Sequence, residues 1–327
     1  MKRRLFRCGY NGGFDKTAHI VVLLTPMPSQ LEGRESLGIV VPEQVMTRDG
    51  LRLRVWHVSA SSAPTRGVVC VIHGLGEHFG RYERISKYLN SAGWSVVGYD
   101  QRGHGSSDGA RGQLNQVDDL LNDLASVVDV CRGVFPSQPL VLFGHSLGGL
   151  VAARFVSALC DSNSNVEWKR VVQGCVLSSP ALDIPMNWLV KQFFWLLGVT
   201  NPNLVVSNGL RPERLSRDVA VQDAYRRDPL VHNRISGRLG RFIIESGTQV
   251  QRSATRWNTP TLLQYAGNDR CVSSSGSRRF AVAAPQAVVS SVRYENMSHE
   301  IFNEPDNSRV FETLGSWLSQ LQSGGSH

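Results

Sequence analysis

Short apolar runs alternate with longer mixed segments along most of this chain. A run that is apolar at nearly every position is typical of a strand buried on both faces. Runs of this kind lie at 67–72, 95–99, 140–143, 174–178 and 261–266, and a last, more polar strand is predicted at 287–294. The segments between them predict helices at 82–92, 117–134, 274–284 and 308–321, and the 117–134 segment is clearly amphipathic. Strands that alternate with helices in this way predict parallel β-α-β units.

The chain before these units predicts a different kind of strand pairing. Two extended runs at 43–47 and 51–58 flank Arg48-Asp49-Gly50, and Asp-Gly between such runs indicates an antiparallel hairpin. The expected fold class is therefore α/β, with a mostly parallel central sheet and helices on both faces.

The alternation breaks between residues 181 and 245. Large apolar side chains crowd 183–198, and the consecutive ones at 193–197 point all round a helix. Because this segment lies between two predicted strands, we predict a helical cap inserted over the C-terminal edge of the sheet. Some of its apolar side chains are expected to face acyl chains or a membrane surface. The alternative is an ordinary helix of the core.

These boundaries predict five parts. They are a poorly ordered N-terminal arm (1–40), a first part of the core (41–180), the cap insertion (181–245), a second part of the core (246–322) and a disordered tail (323–327).

Gly144-His145-Ser146-Leu147-Gly148 follows directly after one of the buried runs and precedes a helix-compatible segment. Strand, sharp turn and helix in this order place one side chain at the tip of a strained turn, with the backbone N–H groups of the helix start beside it. Glycines are required because no Cβ fits in so tight a turn. We interpret Ser146 as a nucleophile.

Polar residues follow the other predicted strands, where the catalytic groups of a parallel sheet lie. The order Ser146, then Asp269, then His299 is that of a Ser-acid-His triad. Asp100 is a rival acid whose glycine-rich neighbours suggest that it anchors a loop, and Asp183 is a weaker rival. His145 is expected to pack beneath the site.

The oxyanion that forms in acyl transfer needs two N–H donors. One is expected from Leu147, directly after the nucleophile. The other is expected from the turn His73-Gly74-Leu75-Gly76, with Leu75 as the donor.

Charge and cysteine content exclude several function classes. The chain has 327 residues and a formal net charge of +8, but its Lys and Arg residues are dispersed, which does not indicate nucleic-acid binding. A mild attraction to anionic membrane surfaces is compatible with this charge. The six cysteines lack C-x-x-C spacing and indicate free thiols in a reducing compartment rather than a zinc site. Cys271 is expected near the pocket, most simply as a packed thiol.

No apolar run is long enough to span a membrane, and the basic start of the chain is too far from the next apolar run for a typical signal peptide. We therefore expect a cytoplasmic protein, with peripheral contact at the inner face of a membrane.

Four stretches carry a family resemblance. They are His73-Gly74-Leu75-Gly76-Glu77-His78, 100–106, 144–149 and 224–231. Together they resemble the monoacylglycerol lipase/lysophospholipase family of serine α/β-hydrolases over about residues 43–320. The resemblance implies the α/β-hydrolase fold, a mobile cap with an apolar acyl tunnel and a polar pocket for the glycerol headgroup. By motif position Glu77, Arg81 and Tyr225 would line that pocket, although Glu77 and Arg81 could equally form a salt bridge that orders the loop.

The expected function is hydrolysis of the carboxylic ester of monoacylglycerols or related lysolipids through an acyl-enzyme, with no metal or organic cofactor. A short-chain carboxylesterase, a lysophospholipase and an acyltransferase are alternatives. A peptidase of the proline aminopeptidase type is another, although such enzymes carry a Gly-Gly-Pro-Gly type turn where this chain has Gly74-Leu75-Gly76-Glu77. A non-catalytic lipid-binding protein is an alternative of another class. The sequence leaves the oligomeric state open.

Overall fold

The computed structural model describes residues 41–323 except Ala63 and Met186. The predictions of a poorly ordered arm (1–40) and a disordered tail fall outside these residues, apart from Ser323, which ends the last helix.

The central sheet confirms the predicted alternation of strands and helices. Within the described residues it has eight strands, which are β1 (Gln44–Met46), β2 (Arg52–Val58), β3 (Val68–Ile72), β4 (Ser95–Tyr99), β5 (Leu140–His145), β6 (Gly174–Ser178), β9 (Thr261–Ala266) and β10 (Val289–Tyr294). Their order across the sheet is β1-β2-β4-β3-β5-β6-β9-β10. The β1–β2 and β2–β4 pairs are antiparallel, and the pairs from β4 to β10 are parallel. The hairpin turns at Gly50, whose φ is +86°.

Helices cover both faces of this sheet. They are α1 (Glu83–Ser91), α2 (Asp119–Val134), α3 (Leu147–Ser157), α6 (Gly237–Ser253), α7 (Ser274–Ala283) and α8 (Ser308–Ser323). Side chains of α1 and α8 share one apolar core with one face of the sheet, and those of α2, α3, α6 and α7 share a second core with the other face.

Strand β3 shows why the central runs are apolar throughout. Val69 and Val71 lie in the core with α1 and α8, whereas Cys70 and its neighbours two positions away lie in the core with α3. Successive side chains of a strand point to opposite faces, so a strand covered on both faces must be apolar at every position.

The insertion between β6 and β9 contains α4 (Trp188–Thr200), a short antiparallel pair β7 (Val205–Ser207) and β8 (Arg234–Ser236), α5 (Val219–Arg227) and the start of α6. The predicted cap boundary at residue 245 falls inside α6, which continues without a break into the core, where Val250 is fully buried. Two contacts attach the insertion to the loop after β3: the His78 Nε2–Asp228 Oδ2 distance is 2.7 Å, and the backbone N–H of His232 donates to the Gly76 carbonyl at 2.8 Å. In the described part of the chain, no helix has the length and apolar character needed to cross a bilayer.

Candidate active site

Ser146 occupies the turn between β5 and α3 in a strained backbone conformation, with φ 54° and ψ −116°. Its backbone N–H donates to the Ser178 carbonyl at 3.0 Å, which fixes the turn to the neighbouring strand. The flanking glycines are sterically required. A Cβ on Gly148 would lie 2.1 Å from the Ile72 carbonyl oxygen, and one on Gly144 would lie 2.3 Å from the Gly148 oxygen. The turn therefore exists only because both positions lack a side chain.

Asp269 and His299 follow β9 and β10, and the structure brings them together. The distance between His299 Nδ1 and Asp269 Oδ2 is 2.7 Å. The other carboxylate oxygen accepts the backbone N–H groups of Cys271 and Val272 at 2.8 and 2.9 Å. The carboxylate is thus held from two sides, and Nδ1 of His299 carries the proton that it donates to Asp269, which leaves Nε2 as a free base.

The electrostatics of this pair suit a general base. Burial by itself lowers the pKa of His299, because it disfavours the imidazolium. The carboxylates of Asp269, Glu300 and Glu77 together outweigh burial, with Asp269 contributing most, and the pKa is raised above its ordinary value of 6.5. Burial alone would raise the pKa of Asp269, but the imidazole and the two backbone N–H groups outweigh it, so that this pKa is lowered. The lowered pKa of Asp269 keeps the acid ionised, and the raised pKa of His299 makes its imidazole a stronger base.

His145 lies beneath this pair. Its ring is 4.7 Å from the His299 ring, centroid to centroid, and its Nδ1 is 3.1 Å from the Ser178 hydroxyl. Burial, together with repulsion from His299, lowers the pKa of His145 to about 3. It therefore packs as a neutral ring under His299 at neutral pH.

Leu75 and Leu147 line the same cavity as Ser146. Among the described residues, neither backbone N–H makes a hydrogen bond within the protein. Leu147 is the first residue of α3, where the helix dipole adds to the positive potential. The turn from His73 to Glu77, called here the oxyanion turn, supplies Leu75.

The cavity at Ser146 has a volume of about 390 Å³ and is lined mainly by apolar side chains of the cap and of α6, such as Ile184, Phe194 and Ile243. Among the described residues that line it, the charged side chains are Arg214 and Arg270, and neither forms an ion pair within the described chain. Cys271 also lines the cavity, and its thiol contacts the Arg214 carbonyl at 3.6 Å. The cavity is therefore lined mainly by apolar side chains, with two surface-exposed arginines among its lining residues.

Glu77, Arg81 and Tyr225 lie together, but not on the wall of this cavity. Glu77 Oε2 accepts from Arg81 Nε at 2.8 Å, and Glu77 Oε1 accepts the backbone N–H of Gly74 at 2.6 Å. The Arg81 guanidinium lies 4.7 Å from the Tyr225 ring centroid. Burial would raise the pKa of Glu77, but Arg81, the neighbouring histidines and the Tyr82 hydroxyl together outweigh it and lower that pKa to about 2. These contacts are those of a buried ion pair that orders the oxyanion turn, the alternative that the sequence leaves open.

Glu300 belongs to the same cluster and was missed by reasoning from sequence. Arg81 Nη2 donates to both of its carboxylate oxygens, at 2.7 and 2.9 Å. Its position directly after His299 is a signal that the sequence does contain, but its burial and its partner are not visible there.

The two rival acids have other partners. Asp100 accepts the backbone N–H groups of Phe79 and Ser106 at 2.8 and 2.7 Å, and so joins two loops. Asp183 forms ion pairs with Lys191 and Arg279 at 2.5 and 2.8 Å.

Metal ligation is a further possibility for the residues at this site. Within the described chain, Asp269, Cys271 and His299 each offer a ligand atom, and these atoms lie within 4.8 Å of one another. The Asp269 carboxylate already accepts three hydrogen bonds, including one from His299, which is the arrangement of an acid-base pair rather than of an open metal site.

Comparisons with known proteins agree with this geometry. Residues 63–306 match the Hydrolase_4 family, described as serine aminopeptidase, S33. A monoacylglycerol lipase of Mycolicibacterium smegmatis is 29% identical over 272 residues, which are 82% of this chain and 93% of that protein. The crystal structure of Paleococcus ferrophilus monoacylglycerol lipase is 33% identical with a TM-score of 0.72, and the match covers 82% of this chain and 99% of that one. An uncharacterized abhydrolase domain-containing protein of Dictyostelium discoideum is 30% identical over 84% of this chain, but the chain spans only 28% of its length.

Proposed function

The chain belongs to the Hydrolase_4 family of α/β-hydrolases, and we propose that it hydrolyses the carboxylic ester of monoacylglycerols through an acyl-enzyme on Ser146. One observation carries this proposal: the strained Ser146 lies in a mainly apolar cavity, and a hydrogen-bonded Asp269–His299 pair follows two other strands of the same sheet, β9 and β10. The names of the similar lipases from Mycolicibacterium smegmatis and Paleococcus ferrophilus support the choice of substrate.

The proposed reaction has two halves. The Ser146 hydroxyl attacks the ester carbonyl while His299 Nε2 takes its proton, and the backbone N–H groups of Leu75 and Leu147 stabilise the oxyanion. The C–O bond then breaks, His299 returns the proton to the departing glycerol, and the acyl group remains on Ser146. Water, deprotonated by His299, then attacks this acyl-enzyme. The fatty acid leaves, and His299 returns the proton to the Ser146 oxygen, which restores its hydroxyl.

The cavity supports an acyl chain rather than a peptide as the group next to Ser146. Ile184, Phe194 and Ile243 present hydrocarbon to the space in front of the nucleophile. Burying each methylene of an acyl chain in such a site contributes about 0.8 kcal/mol.

The experiment is hydrolysis of 1-monoacylglycerols with C8 to C18 chains by the wild-type protein and by Ser146→Ala. We expect release of fatty acid by the wild type and only a trace by the variant, together with covalent labelling of Ser146 by a fluorophosphonate. Proline arylamides, tested in parallel, distinguish the aminopeptidase activity in the family's description. Cleavage of arylamides in preference to all acylglycerols would reject the proposal, and failure of the probe to label Ser146 would favour a non-catalytic lipid-binding protein.

A second candidate function is hydrolysis of lysophospholipids. It is favoured by Arg214 and Arg270, which line the Ser146 cavity without an acidic partner among the described residues. Guanidinium groups bind phosphate oxygens well. The test compares a lysophospholipid and a monoacylglycerol that carry the same acyl chain. We expect the wild type to have the higher kcat/KM for the lysophospholipid. Loss of that preference in the double variant Arg214→Gln/Arg270→Gln would assign phosphate binding to these two side chains.

Peripheral contact with a membrane through the cap is also proposed. Helix α4 exposes Trp188, Leu189, Phe193 and Leu196 by 69%, 61%, 61% and 52%. Exposed apolar side chains on one helix favour insertion into the lipid interface. The buried free thiols Cys70 and Cys131 suit a reducing compartment, so the inner face of a membrane is the proposed location.

A further inference from the structure

A chain of buried charged groups connects the oxyanion turn to the loop that carries His299. Glu77 forms an ion pair with Arg81, and Arg81 forms a second ion pair with Glu300, in which Arg81 Nη2 lies 2.7 Å from Glu300 Oε1. The side chains of Arg81 and Glu300 are 9% and 6% exposed. Charge-assisted hydrogen bonds with so little water around them are stronger and more rigid than surface ion pairs.

The charged groups at both ends of this chain of groups, Glu77 and Glu300, are attached to parts of the candidate active site. Glu77 accepts the backbone N–H of Gly74, the residue before the proposed oxyanion donor Leu75. Glu300 is adjacent to His299 along the chain and also accepts Asn303 Nδ2 at 2.8 Å. Arg81 can therefore keep the general base and the oxyanion turn at a fixed separation.

The cap contacts the same chain of groups. The Tyr225 ring lies against the Arg81 guanidinium, and the backbone N–H of Glu300 donates to the Leu215 carbonyl at 2.7 Å. The position of the cap is thus coupled to the loop of His299 through Arg81 and Glu300.

The charges also match the reaction. Glu77 and Glu300 carry two negative charges against the single positive charge of Arg81, which leaves a net negative charge beside His299. An imidazolium forms on His299 while the ester bond is being broken, and a buried negative charge nearby stabilises it.

We propose that Glu300 is a positioning residue. Through Arg81 it holds the loop that carries His299 at a fixed position relative to the oxyanion turn and the cap. Its negative charge also stabilises the imidazolium of His299. This inference rests on the proposed roles of Ser146, Asp269 and His299. It differs from headgroup binding, the role that the family resemblance implies for Glu77 and Arg81, because positioning affects every ester alike.

The test compares two esters with the same acyl chain, 1-octanoylglycerol and p-nitrophenyl octanoate, of which only the first has a glycerol headgroup. For Glu300→Gln we expect kcat to fall on the order of tenfold for both esters, the effect of one lost charge-assisted hydrogen bond. We expect KM to stay within about twofold, because no group that touches the substrate is altered. Glu300→Asp retains the charge and is expected to recover part of kcat.

The pH profile separates positioning from a merely structural role. Among the described residues, the charged and titratable groups facing His299 are Asp269, Glu300, Glu77, His145 and the thiol of Cys271. Removing the negative charge of Glu300 destabilises the imidazolium, so the acid limb of kcat/KM is expected to move to lower pH in Glu300→Gln. Glu295→Gln is the matched control, because Glu295 is exposed and pairs with Arg293, and it is expected to leave kcat and the profile unchanged.

Should Glu300→Gln fail to fold, Asn303→Ala loosens the same carboxylate without leaving a buried charge unpaired, and a smaller fall in kcat for both esters is expected. Two results overturn the inference. One is a higher KM for octanoylglycerol alone with unchanged kcat, which would assign these residues to the headgroup. The other is an unshifted acid limb. Retained activity in Ser146→Ala would contradict the proposed function. This measurement does not involve Glu300, so the two failures can be told apart.

Discussion

His299 Nδ1 lies 2.7 Å from Asp269 Oδ2, on side chains that are 3% and 1% exposed. A carboxylate so well shielded keeps the imidazole in one tautomer and one orientation. We expect Asp269→Asn to lower kcat by about 10⁴-fold, since the amide favours the wrong tautomer, while KM changes little. Steady-state kinetics on a soluble ester measures this.

Asp183→Asn is the matched control for that variant, because Asp183 is the rival acid that pairs with Lys191 and Arg279 instead. Its kcat is expected to stay within about threefold of the wild type. Loss of activity in Asp183→Asn with retention in Asp269→Asn would exchange the two assignments.

The pH dependence of activity follows from the raised pKa of His299. In the proposed mechanism its imidazole must be neutral to accept the Ser146 proton, and against the effect of burial the carboxylates of Asp269, Glu300 and Glu77 hold its pKa above 6.5. Activity is therefore present at higher pH and is lost as pH falls through this raised value. The measurement is kcat/KM from about pH 5 to about pH 9. A midpoint below 6.5 would show that burial outweighs the neighbouring carboxylates and would contradict this prediction.

Gly148 is expected to tolerate no side chain. A Cβ there would meet the Ile72 carbonyl oxygen at 2.1 Å, and backbone cannot give way easily. We expect Gly148→Ala to lower the free energy of unfolding by about 3 kcal/mol and to abolish labelling of Ser146. Gly133→Ala is the control, because a Cβ added there would meet no atom within 4 Å beyond its own helical turn, and we expect it to raise that free energy by up to about 1 kcal/mol. Chemical denaturation compares the two.

The exposed face of α4 is expected to bind lipid surfaces. Phe193→Ser removes a ring that is 61% exposed, and a roughly tenfold weaker partition into phosphatidylcholine vesicles is expected. Val282→Ser alters a side chain that is 76% exposed on the core helix α7 and is expected to leave partition unchanged. Vesicle sedimentation checks both, and an equal loss in the two variants would reject a specific role of the cap.

The order and type of the elements were predictable from sequence because strands and helices impose local patterns. β3 is apolar throughout since both of its faces are covered, and α2 has apolar residues three and four positions apart since one of its faces is covered. The same holds for Ser146, because the glycines that its turn requires are its neighbours along the chain.

The sequence by itself therefore determined the elements, their alternation and the chain order of Ser146, Asp269 and His299. Only the tertiary structure decided that Arg81 binds Glu300 as well as Glu77, because Glu300 is 219 residues away and no local pattern relates the two. It also decided that Glu77 points to the backbone of the oxyanion turn rather than into the Ser146 cavity. Contacts between distant residues depend on how whole elements pack, and the pattern of a single segment does not contain that information.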